Sequence, residues 1–488
     1  MRDLSPKTFA VLLGLLLAVT FGYAEYVTWT QHASHRTFLA DVGVFDALCA
    51  QPTMGIFPRS PIDWTVDANY FATHLQPVVF LVAPFYWLHN GTMTFLTFLN
   101  ICLVGAAWPL ALFAWEKLRH RGLALAVAFA YLTNHFTASM HLANHPESIA
   151  LASFFLLFLA VEKRWAAVAV AAFLVTASVK EDYALYLGAY GVALLLERDP
   201  WRRRAACAII GGAAAWWVFA LVAMKWCGQE AMYAAGNKPI GRLASLGDTK
   251  TAIVVTVLTH PFMTLGRLLR PALLALFAST GFMALRDWRA SWLVLAGAGL
   301  FLLSDDMFLH TLQYYYSYAA VPFLFFATVR GAALLQQDFA KWPGRFTAGL
   351  AAALVLISLI SAPMRTRTDD LRRVPFPVTE HHRLANEIAR HELPPDAKVA
   401  VQYDLFCQVP NRQVKLPMRL WALDHVDYIF GDNQGRASDL YGEEKRVERE
   451  ALIARLANGD WEPAFEGDGY FLLCRAKKGD RKTPPAGT

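Results

Sequence analysis

An aspartate pair, Asp41-Val-Gly-Val-Phe-Asp46, stands in a chain otherwise dominated by apolar runs. Three more polar groups interrupt those runs. They are Asn144-His145-Pro146-Glu147, Lys180-Glu181-Asp182, and Asp305-Asp306 with His310 and Tyr314, Tyr315 and Tyr316. His74 adds an imidazole just before Gln76-Pro77. Carboxylates and imidazoles are the side chains of general acid–base chemistry, and close approach perturbs their pKa values. Asp41 and Asp46 are the candidate catalytic carboxylates. His74, His145, Glu147, Glu181, Asp182, His310 and Tyr315 are candidates for positioning a substrate. Phosphate binding is a second chemistry. Arg267 and Arg270 lie three apart, on one face if the segment is helical, and their planar guanidinium groups suit a phosphate or pyrophosphate. Lys180 is the third candidate cation.

Each group also has a purely structural use. Residues five apart do not share a helix face, so one of Asp41 and Asp46 is free to act as a cap or turn former. His145-Pro146-Glu147 reads as a helix start, with proline and an acid in the first turn. Lys180-Glu181-Asp182 can neutralise itself at an interface, and the arginine pair can snorkel to lipid headgroups.

The elements that must position these residues are membrane spans. Of 488 residues, 56% are hydrophobic and 17% charged, against about 45–50% and about 25% in soluble domains. Runs long enough to cross a bilayer fall at 9–29, 92–115, 122–141, 147–161, 165–179, 183–197, 205–227, 271–285, 290–303, 313–329 and 346–361. The stretch 74–88 is apolar but short, which suits an interfacial helix. Loop charge decides how to count it. One set of short loops holds Arg2, Lys7, Lys117, Arg119, Arg121, Lys163, Arg164, Arg198, Arg202, Arg203, Arg204, Arg286, Arg289, Arg330, Lys341 and Arg345. The other set, before the tail, holds half as many basic residues over more loop length. Basic loops stay cytoplasmic, so the chain reads as eleven spans with a cytoplasmic N-terminus and 74–88 not crossing. All the acid–base candidates then fall on the outer face, although only lysine and arginine entered the count. Ionisable residues at the ends of spans mark functional sites by default.

The expected organisation is a transmembrane domain over 1–361 whose long first outer loop, 30–91, includes interfacial helices. A small soluble α/β domain over 362–478 and a disordered tail over 479–488 follow. In that domain 379–392 and 443–457 read as helices, and 398–403, 426–430 and 470–474 as strands. Cys407 and Cys474 would sit there, where an oxidising compartment leaves both a disulfide and free thiols open. No cysteine pair has zinc or redox-motif spacing. A net charge of +6 spread over short loops argues against a nucleic-acid surface. The chain has no Walker loop, no GxGxxG after a strand and no GxSxG elbow. Acidic pairs such as Asp305-Asp306 permit a magnesium or manganese ion without specifying one.

Several motifs occur together in a recognisable order. They are Asp41-Val-Gly-Val-Phe-Asp46, His74-Leu-Gln-Pro77 with Ala83-Pro84-Phe85-Tyr86, Asn144-His145-Pro146-Glu147 and Val179-Lys180-Glu181-Asp182-Tyr183. Leu393-Pro394-Pro395-Asp396-Ala397-Lys398-Val399 and Asp427-Tyr428-Ile429 follow in the tail. This series, from about residue 30 to 475, resembles the bacterial membrane-protein family called domain of unknown function 2079. Where that family tends to show His-Tyr before the penultimate span, this chain has Gln313-Tyr314-Tyr315-Tyr316, with His310 one turn earlier.

That family resembles in turn the C-type glycosyltransferases, multi-spanning enzymes that take a sugar from a polyprenyl-phosphate carrier. The resemblance implies their fold, a bacterial inner-membrane location, and transfer to a lipid, glycan or protein acceptor on the periplasmic side. It implies that Asp41, with Asp46 as runner-up, deprotonates an acceptor hydroxyl for an inverting attack. The departing lipid phosphate would meet Arg267, Arg270 or Lys180, and His74, His145 and Glu181 would position donor or acceptor. The rival expectation is a lipid or solute transporter using Lys180, Glu181 and Asp182 as a coupling site, and the absence of an internal repeat counts against it. A non-catalytic scaffold with a sensing tail would leave the polar clusters unexplained.

Overall fold

Apolar runs close their backbone hydrogen bonds internally as helices, and the computed structural model of this chain is mainly helical. It describes residues 3–62, 69–230, 239–341, 343–361, 374–433, 451–456 and 459–476. The chain divides into two units. The first comprises Met1–Glu25, Phe71–Val78 and Thr97–Val374, and the second Tyr26–Tyr70, Val79–Leu96 and Pro375–Thr488.

Among the described residues, four helical stretches are long and apolar enough to cross a membrane: Pro6–Ala33, Thr92–Leu118, Pro200–Trp226 and Gly344–Ser361. Two bent pairs raise the number to as many as six, so length and composition do not give the eleven expected spans. Asn134 makes the first bend. Its extended backbone ends Arg121–Thr133, and its side chain accepts the Phe136 N–H to start His135–Ala143, producing a turn of 46°. In the second pair, Thr251–Thr259 and Pro261–Leu268 meet at 96°, where a proline cannot continue the helix before it. Ser148–Lys163, Ala166–Val179, Tyr183–Leu195 and Trp288–Leu302 are shorter helices at four expected spans. The remaining two expectations need correction. The run 271–285 breaks after Pro271–Ala278, because Gly281 and Phe282 take positive φ. The run 313–329 becomes helical only at Ala320, after turns that include Tyr314 at φ 56°. The stretch 74–88 forms only Val79–Val82 and a 3-10 turn Ala83–Trp87, about 16 Å of helix and too short to cross.

The interior of the first unit is aromatic. Phe154, Phe158, Phe323 and Tyr190 are buried, with ring centroids 4.8–6.1 Å apart. Helices also approach closely at Gly331, where an added Cβ would lie 1.9 Å from the Met283 carbonyl oxygen. Two polar layers mark opposite ends of these helices. At one end Arg202 bridges Glu162 (2.7 Å) and Glu197, Lys117 holds Glu162 (2.6 Å), and Arg330 joins Asp287 (2.6 Å) to Glu197. The other end carries the cluster around Glu147 and Lys180.

The second unit carries a five-stranded mixed sheet. Its strands are β1 (Val399–Val401), β2 (Lys415–Pro417), β3 (Tyr428–Asp432), β4 (Trp461–Gly467) and β5 (Tyr470–Arg475), in the order β2-β1-β3-β5-β4. β1 pairs in parallel with β2 and β3, whereas β5 is antiparallel to β3 and β4. Three strands match expected positions. β2 and β4 were not legible, since β2 has three residues including Lys415 and Pro417, and β4 is an exposed edge with a register shift between Pro463 and Phe465. Such features suit an edge strand and blur the apolar alternation. The helix Glu380–Glu387 starts at a capping box between Thr379 and His382 and continues as a π turn through Glu392. Leu39, from the first long loop, is buried in the same apolar core as Val399, Phe406 and Leu472. The expected helix 443–457 lies outside the described residues except for a helical 451–456, and the expected disordered tail lies outside them entirely. All six cysteines are free thiols, including Cys407 and Cys474.

Candidate active site

Asp41 sits in the second unit at φ 61°, ψ −80°, a γ-turn conformation that is rare and strained for a residue with a side chain. The backbone around it is pinned. Gly43 donates to the Phe38 carbonyl (2.9 Å), and Val44 donates to the Asp41 and Leu39 carbonyls. Gly43 has to be glycine here, since a Cβ would lie 2.8 Å from the Phe406 ring. The turn holds the Asp41 side chain exposed. Strain of this kind costs about 1–3 kcal/mol and concentrates at functional sites.

Asp46 is differently placed. It is fully buried in the helix Val44–Ala50 and accepts from Tyr86 Oη (2.6 Å) and Thr92 Oγ1 (2.9 Å). Lys415 Nζ lies 3.7 Å away, donates to the Val409 carbonyl (3.0 Å), and sits 4.5 Å from the centre of the Phe406 ring. Enclosed by donors, Asp46 is built to tie the first loop to β2 within this unit.

The first unit collects the histidines and the second set of carboxylates on three connectors. His74 Nδ1 lies 2.8 Å from Glu181 Oε1, and Glu181 Oε2 accepts the Leu75 N–H at 3.1 Å. Lys180 Nζ reaches Glu147 Oε1 at 3.5 Å. Glu147 also contacts His145, whose ring stacks on Tyr315 with centroids 4.0 Å apart. Tyr318 Oη donates to the His145 carbonyl at 3.4 Å. The expected helix start at 145–147 is also present, because the carbonyls of His145, Pro146 and Glu147 accept the first N–H groups of Ser148–Lys163.

Charge in this cluster is unevenly compensated. Burial opposes ionisation of Glu181, but His74 and Lys180 outweigh it and hold the carboxyl below its usual range. Burial pushes the Asp182 carboxyl up, and its Oδ1 is buried without a partner. Burial, with Lys180 and His74 close by, keeps His145 well below the usual imidazole range and therefore neutral. The arrangement presents a cation, a neutral imidazole and a carboxyl group to one locality, which suits binding a phosphate and managing a proton.

Arg267 and Arg270 do not share a helix face as expected, because the helix ends at Leu268 and Arg270 precedes the next one. Arg267 is engaged by Asp305 (3.2 Å), the Leu303 carbonyl (2.8 Å) and Ser245 (2.9 Å). Arg270 donates to the Ser304 carbonyl (2.6 Å) and pairs with no carboxylate among the described residues. His310 closes a short helix from Met307, its Nδ1 buried without a partner. Among the described residues, no three His, Cys, Asp or Glu side chains converge closely enough to hold a metal ion.

Several partners escaped the sequence. Tyr86, Thr92 and Lys415 around Asp46 come from distant positions and carry no local signal. Tyr186, whose buried hydroxyl lacks a partner, reads as an ordinary core tyrosine. Glu25 escaped too, although a carboxylate inside an apolar run is itself a signal; its oxygens accept from Thr97 (2.8 Å) and Asn100 (2.6 Å).

Solved structures similar to this chain include the two that follow. One is ArnT from Cupriavidus metallidurans bound to undecaprenyl phosphate, with TM-score 0.50, 12% identity, and coverage of 97% of this chain and 99% of ArnT. The other is the oligosaccharyltransferase from Archaeoglobus fulgidus in its apo form, with TM-score 0.35, 11% identity, and coverage of 97% and 75% respectively. No curated protein sequence matches the chain. The family model described as predicted membrane protein DUF2079 matches residues 38–472, which takes in the aspartate pair, the three connectors and the sheet as far as the middle of β5. The chain is a member of that family of membrane proteins.

Proposed function

We propose that this protein is a membrane glycosyltransferase that moves a sugar from a polyprenyl-phosphate donor to a lipid, glycan or protein acceptor. The observation that carries this reading is the likeness in fold to the whole of ArnT, a structure that holds undecaprenyl phosphate. It agrees with the resemblance of the sequence to the C-type glycosyltransferases. In this reading the protein lies in the bacterial inner membrane with its N-terminus in the cytoplasm. The membrane domain spans 1–361, and the domain at 362–478 faces the periplasm.

Asp41 is the proposed general base. It takes the proton of an acceptor hydroxyl, whose oxygen attacks the anomeric carbon. The bond from that carbon to the phosphate oxygen breaks, and the lipid phosphate leaves with the electron pair and inversion at carbon. Lys180 and Arg270 are the proposed cations for the leaving phosphate. Glu147 orients Lys180, and Glu181 orients His74. The mechanism assigns no step to a metal ion.

Purified protein in proteoliposomes, given a radiolabelled polyprenyl-phosphate sugar and a membrane extract as acceptor source, should form a labelled product. Asp41→Asn should lower that rate by about 10²–10⁴-fold with expression intact. A loss smaller than about tenfold would remove Asp41 as base. The rival transporter would use Lys180, Glu181 and Asp182 as its coupling site, and the bent helix pairs at Asn134 (46°) and His260 (96°) suit it, since transporters use broken helices. Movement of solute across the liposome without any covalent product would establish that reading instead.

A further inference from the structure

The second unit contains a cavity of about 320 Å³ between the first loop and the segment leading into β2. None of the residues assigned to acid–base chemistry lines it. Its charged lining residues are Arg59, Arg412 and Lys415, with no carboxylate among them. Among the described residues Arg412 donates to the carbonyls of Pro410, Pro394 and Ala397, and no described carboxylate pairs with it. Burial holds its guanidinium down to about 10, and the charge of Asp396 only partly opposes that fall. Beside it Asn411 is 6% exposed, and neither its amide nitrogen nor its oxygen has a partner. Native proteins seldom leave both ends of a buried amide unsatisfied. Phe57 also lines the cavity, 55% exposed, with its ring centroid 6.4 Å from that of Phe80. Gln51 holds the loop that carries Phe57, donating from Nε2 to the Arg59 carbonyl (3.0 Å) and accepting the Arg59 N–H at Oε1 (2.6 Å).

An aromatic face, an amide that can donate and accept, and a guanidinium bonded to carbonyls but to no described carboxylate together match a sugar ring carrying an acidic group. The ring stacks on the aromatic face, its hydroxyls satisfy the amide, and its carboxylate or phosphate meets the guanidinium. We propose that this cavity is a binding site for an anionic hexose unit, with Phe57, Asn411 and Arg412 as its recognition residues. The site is independent of the transfer reaction and would exist on a carbohydrate-sensing unit equally well.

The test uses the full chain in nanodiscs and ligand-observed NMR with four probes: glucuronic acid, glucose 6-phosphate, glucose and inorganic phosphate. Glucuronic acid or glucose 6-phosphate should bind at least about tenfold more tightly than glucose or phosphate. Asn411→Leu and Arg412→Gln should each weaken that binding by about tenfold or more. Phe57→Ala changes an exposed residue, so the fold survives, and it should weaken binding to a similar degree. Absence of binding by both anionic sugars would overturn the proposal. So would phosphate binding as tightly as glucose 6-phosphate, or affinity unchanged in Phe57→Ala and Asn411→Leu.

Discussion

Replacing Lys415 by methionine tests whether the first loop and the sheet are tied together by charge. Lys415 has a side chain 3% exposed, and its partner Asp46 is at 0%. Removing one member of a buried pair leaves the other charge uncompensated, at about 3–5 kcal/mol. Asp46 keeps two close donors, Tyr86 at 2.6 Å and Thr92 at 2.9 Å, which places the expected loss near the lower bound. The Val409 carbonyl loses its donor as well, and that offsets part of the relief. A net loss of about 3 kcal/mol follows, or a fall in Tm of about 6–12 °C for a unit of this size. The double variant Asp46→Asn with Lys415→Met removes both charges and leaves neutral hydrogen bonding, so it should lose less than Lys415→Met alone. Thermal unfolding of the purified protein, followed by tryptophan fluorescence, gives all three values. If the double variant loses the sum of the two single losses, the pair is not coupled and the reasoning fails.

Asp41→Gly should stabilise the protein by about 1 kcal/mol while abolishing transfer, because glycine relieves the positive φ and removes the carboxylate; a variant that is less stable would show that the turn is not strained. His381 lies 3.0 Å from Asp432 and 2.8 Å from Asp468. Burial opposes its charge, but hydrogen bonds to these carboxylates outweigh it and raise its pKa above the usual value of 6.5. Its stabilising effect is therefore complete below pH 6.5 and fades as pH rises through the raised folded value. His381→Gln should be more destabilising at pH 5.5 than at pH 9, and equal losses at both would count against the pair. Gly331→Ala drives a Cβ into the Met283 carbonyl, so it should cost more than about 3 kcal/mol or abolish accumulation; wild-type yield and Tm would contradict the close approach.

Helices were the legible part of the fold, since long apolar runs leave few alternatives to them. Their exact ends were not. Asn134 and Pro261 break helices through backbone geometry that hydropathy does not register. The run at 313–319 looks like the start of a span, yet its turns place Tyr315 against His145 instead. For the candidate site, residue types were readable because a charge at the end of a span stands out. His74 with Glu181, and Glu147 with Lys180, were named separately, and only the fold could show them as pairs. Arg267 and Arg270 illustrate the converse: a spacing of three implied a shared face, but a helix end between them removed it. The enclosure of Asp46 depends on Tyr86, Thr92 and Lys415, the last 369 positions away, and no local pattern encodes that.

The helices Ala166–Val179 and Tyr183–Leu195, of 14 and 13 residues, are each about 20 Å long against a hydrocarbon layer of about 30 Å. Both face outward, for Val170, Leu174, Leu185 and Val192 are 44–58% exposed. Lipid packed against them cannot keep its full thickness without carrying acyl chains past the helix ends. Closing that gap by thinning alone would take about a third off the hydrocarbon layer, and snorkelling flanking residues would take up part of it. The thinning falls beside the connector Lys180-Glu181-Asp182 that joins the two helices. A thinner layer there would bring headgroup phosphates nearer that lysine with no motion of the protein.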